Sequence, residues 1–164
     1  MSFTPIHMYF DDVEVGQHWE SLGRTITEAD IVNFAGLSGD FNPIHLDHQF
    51  ALSTPFRRPI AHGVLVQSIG TGLTLYAPPM RTLAMLAFRE WYFREPVFIG
   101  DTIHVRSEVL NKEERGRGKR GIITWQRQIV KQDGKIVQEG ISVTMVEGRG
   151  TKQEEAPADS ASHP

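Results

Sequence analysis

The stretch His62-Gly63-Val64-Leu65-Val66-Gln67-Ser68-Ile69-Gly70-Thr71-Gly72-Leu73-Thr74-Leu75-Tyr76 decides the fold. Val64, Leu65, Val66, Ile69, Leu73 and Leu75 go most of the way round a helix, and such a helix has to be covered by the rest of the chain. Gly70 and Gly72 each cost roughly a kcal/mol in a helix interior, which predicts close approach by another backbone. Pro78-Pro79 ends the helix. The cover lies downstream. Residues 82–93 are rich in large apolar side chains and suit a central strand. Over 102–109, Ile103, Val105 and Val109 alternate with His104, Arg106 and Glu108, the pattern of a half-buried antiparallel strand. Segments 122–130 and 136–146 flank Gln132-Asp133-Gly134-Lys135, whose Asp133-Gly134 predicts a type I′ hairpin. A charged, glycine-rich loop at 113–120 precedes them. The fold class is therefore α+β, a curved antiparallel sheet wrapped around one central apolar helix. Its edge strands and outer face need cover, which a homodimer supplies.

Upstream, residues 1–17 read as an entry segment and 19–26 as a short strand. Thr27, three residues before Asp30, forms a capping box for a helix over 28–37, with Ile31, Phe34 and Ala35 at helical spacing. Asn42-Pro43 stops any continuation, and a short helix over 47–53 ends before Pro55. From 148 to 164 the composition shifts to Gly, Lys, Glu, Ala, Pro and Ser, the signature of a disordered tail. One domain over 1–147 with a tail over 148–164 accounts for the 164 residues.

Bulk composition removes whole classes of function. There is no cysteine, so disulfides, thiol nucleophiles and thiolate metal sites are out. A formal net charge of -3 gives no pull toward nucleic acid or anionic membrane. No apolar run approaches the ~20 residues of a membrane span, and the N-terminus lacks the basic-then-apolar pattern of a secretory signal. The expectation is a cytoplasmic protein.

Chemistry concentrates in Ser38-Gly39-Asp40-Phe41-Asn42-Pro43-Ile44-His45-Leu46-Asp47 and in Arg58-Pro59-Ile60-Ala61-His62-Gly63. Asp40 and His45 place a carboxylate and an imidazole five residues apart on a proline turn, a minimal acid/base kit. The plainer reading is that both only fix the turn. Asn42 can hold a water or start the Asn-Pro turn; Asp47 and His48 fit a helix cap. Gly63 opens the central helix, where unpaired N–H groups can stabilise an oxyanion, or it merely permits close packing. His62 fits a brace for that turn and is also a candidate substrate-binding residue. Ser68, in an apolar helix, needs a partner if it is buried, either a ligand or its own backbone. A metal held by His45, Asp47, His48 and His62 matches no standard ligand spacing, so neither metal nor cofactor is expected.

These two segments, with Pro96-Val97-Phe98-Ile99-Gly100-Asp101, resemble the MaoC-like dehydratases, or (R)-specific enoyl-CoA hydratases, over about residues 10–147. The resemblance implies a hotdog fold, a dimer or larger assembly of dimers, and an active site at the mouth of an acyl tunnel. It implies Asp40 and His45 as the catalytic pair, Ser68 as a further site residue, and Gly63 as the donor to the thioester carbonyl. The implied reaction is reversible addition of water across the 2,3-bond of an enoyl-CoA. Competing readings are a dehydratase of a branched or dicarboxylic thioester of methylmalyl or itaconyl type, a hotdog thioesterase, and a non-catalytic acyl-binding subunit. Trp91, Tyr92, Phe93, Phe41 and Tyr76 are candidate tunnel residues, against core or interface. Arg57, Arg58, Arg117, Lys119 and Arg120 are candidates for the coenzyme A phosphates, against solvated surface charge.

Overall fold

The computed structural model describes residues 7–150. After a single helical turn at Phe10–Asp12, the elements run β1 (His18–Glu20), β2 (Arg24–Thr25), α1 (Glu28–Ser38), α2 (Pro43–Leu46), α3 (His48–Leu52), α4 (Gly63–Leu73), β3 (Thr82–Phe93), β4 (Thr102–Arg115), β5 (Arg120–Lys131) and β6 (Ile136–Glu147). All strand pairings are antiparallel, in the order β1-β4-β5-β6-β3, with β2 also on β4. The expected single strand over 19–26 is split because the Ser21 hydroxyl, not a strand backbone, accepts the Val105 N–H.

The predicted cap of α1 is present in both directions. Thr27 N–H donates to Asp30 Oδ2 at 2.8 Å and Asp30 N–H to Thr27 Oγ1 at 3.3 Å. Asn42-Pro43 does stop α1, but it also starts α2: Pro43 takes the first helical position and the Asn42 side chain accepts from Ile44 N–H. Asp47 caps α3 by accepting from Gln49 and Phe50 N–H.

Helix α4 lies on the sheet through Leu65, Val66 and Gly70, packed with Ile103, Val105, Ile129 and Val137. Alternation along β4 is as the sequence predicts, with Ile103, Val105, Ser107 and Val109 inward. A second cluster, Val13, Val109, Ile123, Trp125 and Val146, fills the other end of the sheet. Gly70 has the tight fit its cost implies, although against side chains rather than backbone: a Cβ there would lie 2.5 Å from Ile129 Cδ1. Gly72 has nothing within 4 Å. Because Ile129 is itself fully packed, Gly70→Ala is expected to destabilise the fold by about 1–3 kcal/mol, read as a lowered denaturant midpoint. Gly72→Ala should match or exceed wild type in the same titration.

Three expectations need correction. Residues 82–93 form an edge strand, not a central one, and Leu83, Met85, Leu86, Phe88, Tyr92 and Phe93 are exposed on it. Apolar content alone fixes neither a strand's place in the sheet nor how much of its surface one chain covers. For the same reason α4 is covered on one side only, with Val64 57% exposed. The hairpin is not type I′, which requires positive φ at both central residues: of the pair only Gly134 has it, at 82°. Lys131 N–H donates to Lys135 C=O and Gly134 N–H to Lys131 C=O, closing a three-residue loop with a glycine bulge.

At the chain's far end Gly148 and Gly150 N–H donate to Lys119 and Gly118 C=O, and Arg149 pairs with Asp12. The rest of the segment read as a tail, 151–164, lies outside the described residues, as do the first residues of the entry segment. Among the described residues no helix is long and apolar enough to cross a membrane.

Candidate active site

The turn from α1 into α2 presents Asp40, and α2 presents His45. Gly39 makes the turn possible: it sits at φ 77° in the left-handed region and closes α1 by donating to Ala35 C=O. Asp40 is then fixed from three sides. Its N–H meets Ser38 Oγ, its Oδ1 accepts from Asn42 N–H at 3.2 Å, and its C=O accepts from His62 Nε2 at 3.0 Å. Oδ2 faces His45 Nε2 at 3.9 Å, the Asp40 side chain 52% exposed and the His45 side chain 11%.

His45 Nδ1 lies 2.7 Å from Ile60 C=O. A carbonyl can only accept, so this nitrogen carries the proton and Nε2 of the neutral ring is a lone pair aimed toward Asp40. Burial pushes the His45 pKa below its ordinary value and the neighbouring His62 adds to that, outweighing the Ile60 carbonyl and the Asp40 carboxylate, which act upward. The pair therefore consists of two acceptors. Their separation exceeds a direct hydrogen bond and suits one bridging water that donates to both.

His62 stacks on His45 with ring centroids 3.8 Å apart and 29° between planes, and packs against Phe34. It is the brace expected of it, tying the Asp40 backbone to the start of α4. Asp40, His45 and His62 converge closely enough to hold an ion. Near-parallel rings, however, aim their in-plane lone pairs side by side rather than at one point, which suits a water better than a metal. Asp47 and His48 take no part: Asp47 is the cap of α3, and His48 pairs with Glu28 at 3.2 Å.

Gly63 is the first residue of α4, and His62 before it makes no side-chain cap. The first N–H groups of this helix therefore have no side-chain cap from His62. Gly63 and His45 line the same cavity, about 390 Å³, with Phe93 and Pro96 at its wall. Close packing applies as well, since a Cβ on Gly63 would fall 2.7 Å from the Phe93 ring. Sequence reading missed what anchors this turn. Gln138 Nε2 donates to Gly63 C=O at 2.8 Å, while Gln138 Oε1 accepts from Trp91 Nε1 at 3.0 Å. A bulge delivers Trp91 inward: β3 inserts Glu90 and Trp91 between the pairs Arg89↔Ile141 and Tyr92↔Glu139, with Glu90 at φ 48°. The available signal was slight, a glutamine beside Val137 on a strand that also carries Glu139, Ser142 and Thr144, and the structure leaves Gln138 2% exposed.

Ser68 is exposed on α4 and donates to Val64 C=O at 2.8 Å, five residues beyond Gly63 on the helix face that the single chain leaves open. Asn42 spends its side-chain oxygen on capping α2. Of the tunnel candidates, Phe93 lines the cavity and Trp91 braces it, while Phe41 and Tyr76 are exposed. Among the phosphate candidates, Arg58 stacks over Phe98 at 3.8 Å and Arg57 donates to Leu52 C=O. Asp101, in the third matching segment, is structural. Burial pushes its carboxyl up, but hydrogen bonds from Gln132 and Phe98 N–H, with the Lys131 ammonium, outweigh that and hold it below the usual carboxylate value.

The family model of the MaoC like domain matches residues 12–130. The chain belongs to the MaoC-like family. It is 37% identical over 145 residues to an (R)-specific enoyl-CoA hydratase of Rhodospirillum rubrum, covering 87% of this chain and 94% of that protein. It is 36% identical over 136 residues to an (R)-specific enoyl-CoA hydratase of Aeromonas caviae, covering 83% and 97%. The crystal structure of a MaoC-like dehydratase from Rhodospirillum rubrum superposes with TM-score 0.75 at 27% identity, over 87% of this chain and 98% of that one. The helix on its curved antiparallel sheet is the hotdog fold, and in this MaoC-like chain Asp40 and His45 face one another.

Proposed function

We propose that this protein is a hydro-lyase that adds water to, and removes it from, the 2,3-bond of acyl-CoA thioesters, with (R)-3-hydroxyacyl-CoA as the hydrated partner. The observation that carries the reading is the Asp40–His45 pair, two acceptors set one water apart beside an uncapped helix N-terminus. Kinship with the two hydratases supports the choice of thioester.

In the hydration direction the water bridging Asp40 Oδ2 and His45 Nε2 attacks C3 and its proton passes to the pair, which titrates as one unit. The C2=C3 electrons move onto the thioester carbonyl, and the resulting enolate oxygen is held by Gly63 N–H at the positive end of α4. The pair returns the proton to C2 on the same face, giving syn addition. Dehydration is the reverse. His62 and Ser38 position Asp40; Ser68 is a substrate or water ligand once its own helix face is covered; Asn42 holds the turn. No cofactor is required.

The test is hydration of crotonyl-CoA followed by loss of enoyl-thioester absorbance, with the 3-hydroxy product resolved on a chiral column. A pure (S) product, or thiol release without hydration, would refute the assignment. The pH dependence has a definite sign. His45 must be neutral to accept, and its pKa in the folded protein lies below the ordinary 6.5. Thus kcat/KM should be full at neutral pH and fall on acidification, with an acid limb whose midpoint lies below 6.5 in the free enzyme.

A second copy of the chain is the proposed cover for β3 and the open side of α4. The exposed apolar row from Leu83 to Phe93 lies on a strand whose outer edge has no partner among the described residues. Light scattering should give twice the chain mass, and Leu86→Lys should shift it toward the single chain.

A further inference from the structure

The Asp40–His45 pair sets a condition on whatever stands between its two members. The Ile60 carbonyl, 2.7 Å from His45 Nδ1, fixes the ring proton on that nitrogen, so Nε2 offers only a lone pair. Asp40 Oδ2, 3.9 Å away, is a carboxylate oxygen and also only accepts. A species that bridges them must therefore carry two hydrogens on one atom. To attack C3 it must also keep a lone pair on that same atom. Water meets both conditions. An alcohol has one hydrogen and fails the first; the ammonium ion has no lone pair and fails the second. Neutral ammonia, with three hydrogens and a lone pair, meets both with one hydrogen left over.

That third hydrogen has a place to go. The Asp40 side chain is 52% exposed against 11% for His45, so the bridging position opens to solvent on its carboxylate side. An N–H left over there stays hydrated, where a buried one would carry the cost of an unmade hydrogen bond. No group of the chain already fills the position. Among the described residues Asp40 pairs with no lysine or arginine. The neighbouring donors are turned elsewhere: Ser38 Oγ donates to Phe34 C=O, and His62 Nε2 to the Asp40 carbonyl.

We propose that the same site adds ammonia across the 2,3-bond of enoyl-CoA thioesters to give 3-aminoacyl-CoA, and removes it in reverse. The proposal rests on the hydratase reading. Two N–H groups of ammonia are held by Asp40 Oδ2 and His45 Nε2, which aims the nitrogen lone pair at C3. The N–C3 bond forms as the C2=C3 electrons move onto the thioester carbonyl, whose oxygen is held by Gly63 N–H. One proton passes from nitrogen to the pair and then to C2 on the same face. Nothing is oxidised or reduced, and no atom leaves. Because hydration is reversible, hydrated thioester returns to the enoyl form and the amine adduct accumulates.

The test is crotonyl-CoA in an ammonium buffer near the pKa of ammonium, with products resolved by mass and on a chiral column beside an enzyme-free sample. Hydration is followed in the same samples, which keeps the two readings apart. Wild type should form 3-aminobutyryl-CoA at least tenfold faster than the enzyme-free sample and as the (R) enantiomer, since nitrogen takes the place of oxygen on one face of C3. Asp40→Asn should fall to the enzyme-free rate. Dimethylamine, a basic amine with a single N–H, should add no faster with enzyme than without. Normal hydration beside an amine adduct that is racemic, or formed only at the enzyme-free rate, overturns the proposal and leaves the hydratase reading standing. Acceleration of dimethylamine, or amination that survives in Asp40→Asn, overturns it as well, because neither uses two hydrogens shared by the pair. Hydration of nothing by folded wild type overturns both.

Discussion

Asp40→Asn is expected to lower kcat/KM for enoyl-CoA hydration by about 10³-fold, within the range that one acid/base group contributes, while leaving the denaturation midpoint close to wild type. The variant keeps its shape because Asn retains the Oδ1 that accepts from Asn42 N–H, and because Ser38 and His62 hold only the backbone. What it loses is the anionic acceptor on Oδ2. The matching change on the other side is His45→Asn. An asparagine amide can take over the Nδ1 donation to Ile60 C=O and supplies nothing at the Nε2 position, so turnover should fall to a similar degree. Since the two groups share one water, the double variant should be little slower than either single one, a non-additivity measured directly by the cycle. Independent, multiplying losses would show that the two do not act on a common water. Folded variants with near-wild-type turnover would remove the pair from the mechanism.

The parts legible in sequence were those written in local chemistry. Thr27 and Asp30 specify a helix start whatever surrounds them, and the alternation over 102–109 specifies which side of β4 faces in. The proximity of Asp40 and His45 was legible in the segment from Ser38 to Asp47 for a related reason: glycine at φ 77°, then a proline-led helix, leaves few ways to place the two except near one another. The parts not legible depend on contacts far along the chain. Nothing within residues 82–93 says that their neighbours are β6 on one side and, among the described residues, none on the other, so an edge strand rich in apolar side chains reads as a central one. Gln138 holds Gly63 from 75 positions away. A lone polar residue on an inward strand position can be flagged from the pattern; the atom it reaches cannot.

Gly63 allows the oxyanion role to be separated from packing with two substitutions. Any side chain at this position pushes on Phe93, since a Cβ would lie 2.7 Å from its ring. Phe93 lines the cavity of about 390 Å³ and can turn into it, so Gly63→Ala should cost at most about tenfold in kcat/KM, the consequence of a shifted cavity wall. Gly63→Pro imposes the same push and removes the N–H as well. The backbone accepts proline here: Gly63 is the first residue of α4, a favoured position for it, and His62 before it is at φ -59°, ψ 132°, the extended region that a following proline demands. The carbonyl that Gln138 grips is retained. If the N–H stabilises the enolate, Gly63→Pro should therefore fall a further 10²–10³-fold below Gly63→Ala, chiefly in kcat, because the bond to the thioester oxygen strengthens as that oxygen gains negative charge in the transition state. Equal activity of the two variants would assign Gly63 to packing alone and move the oxyanion donor to another N–H of the first turn.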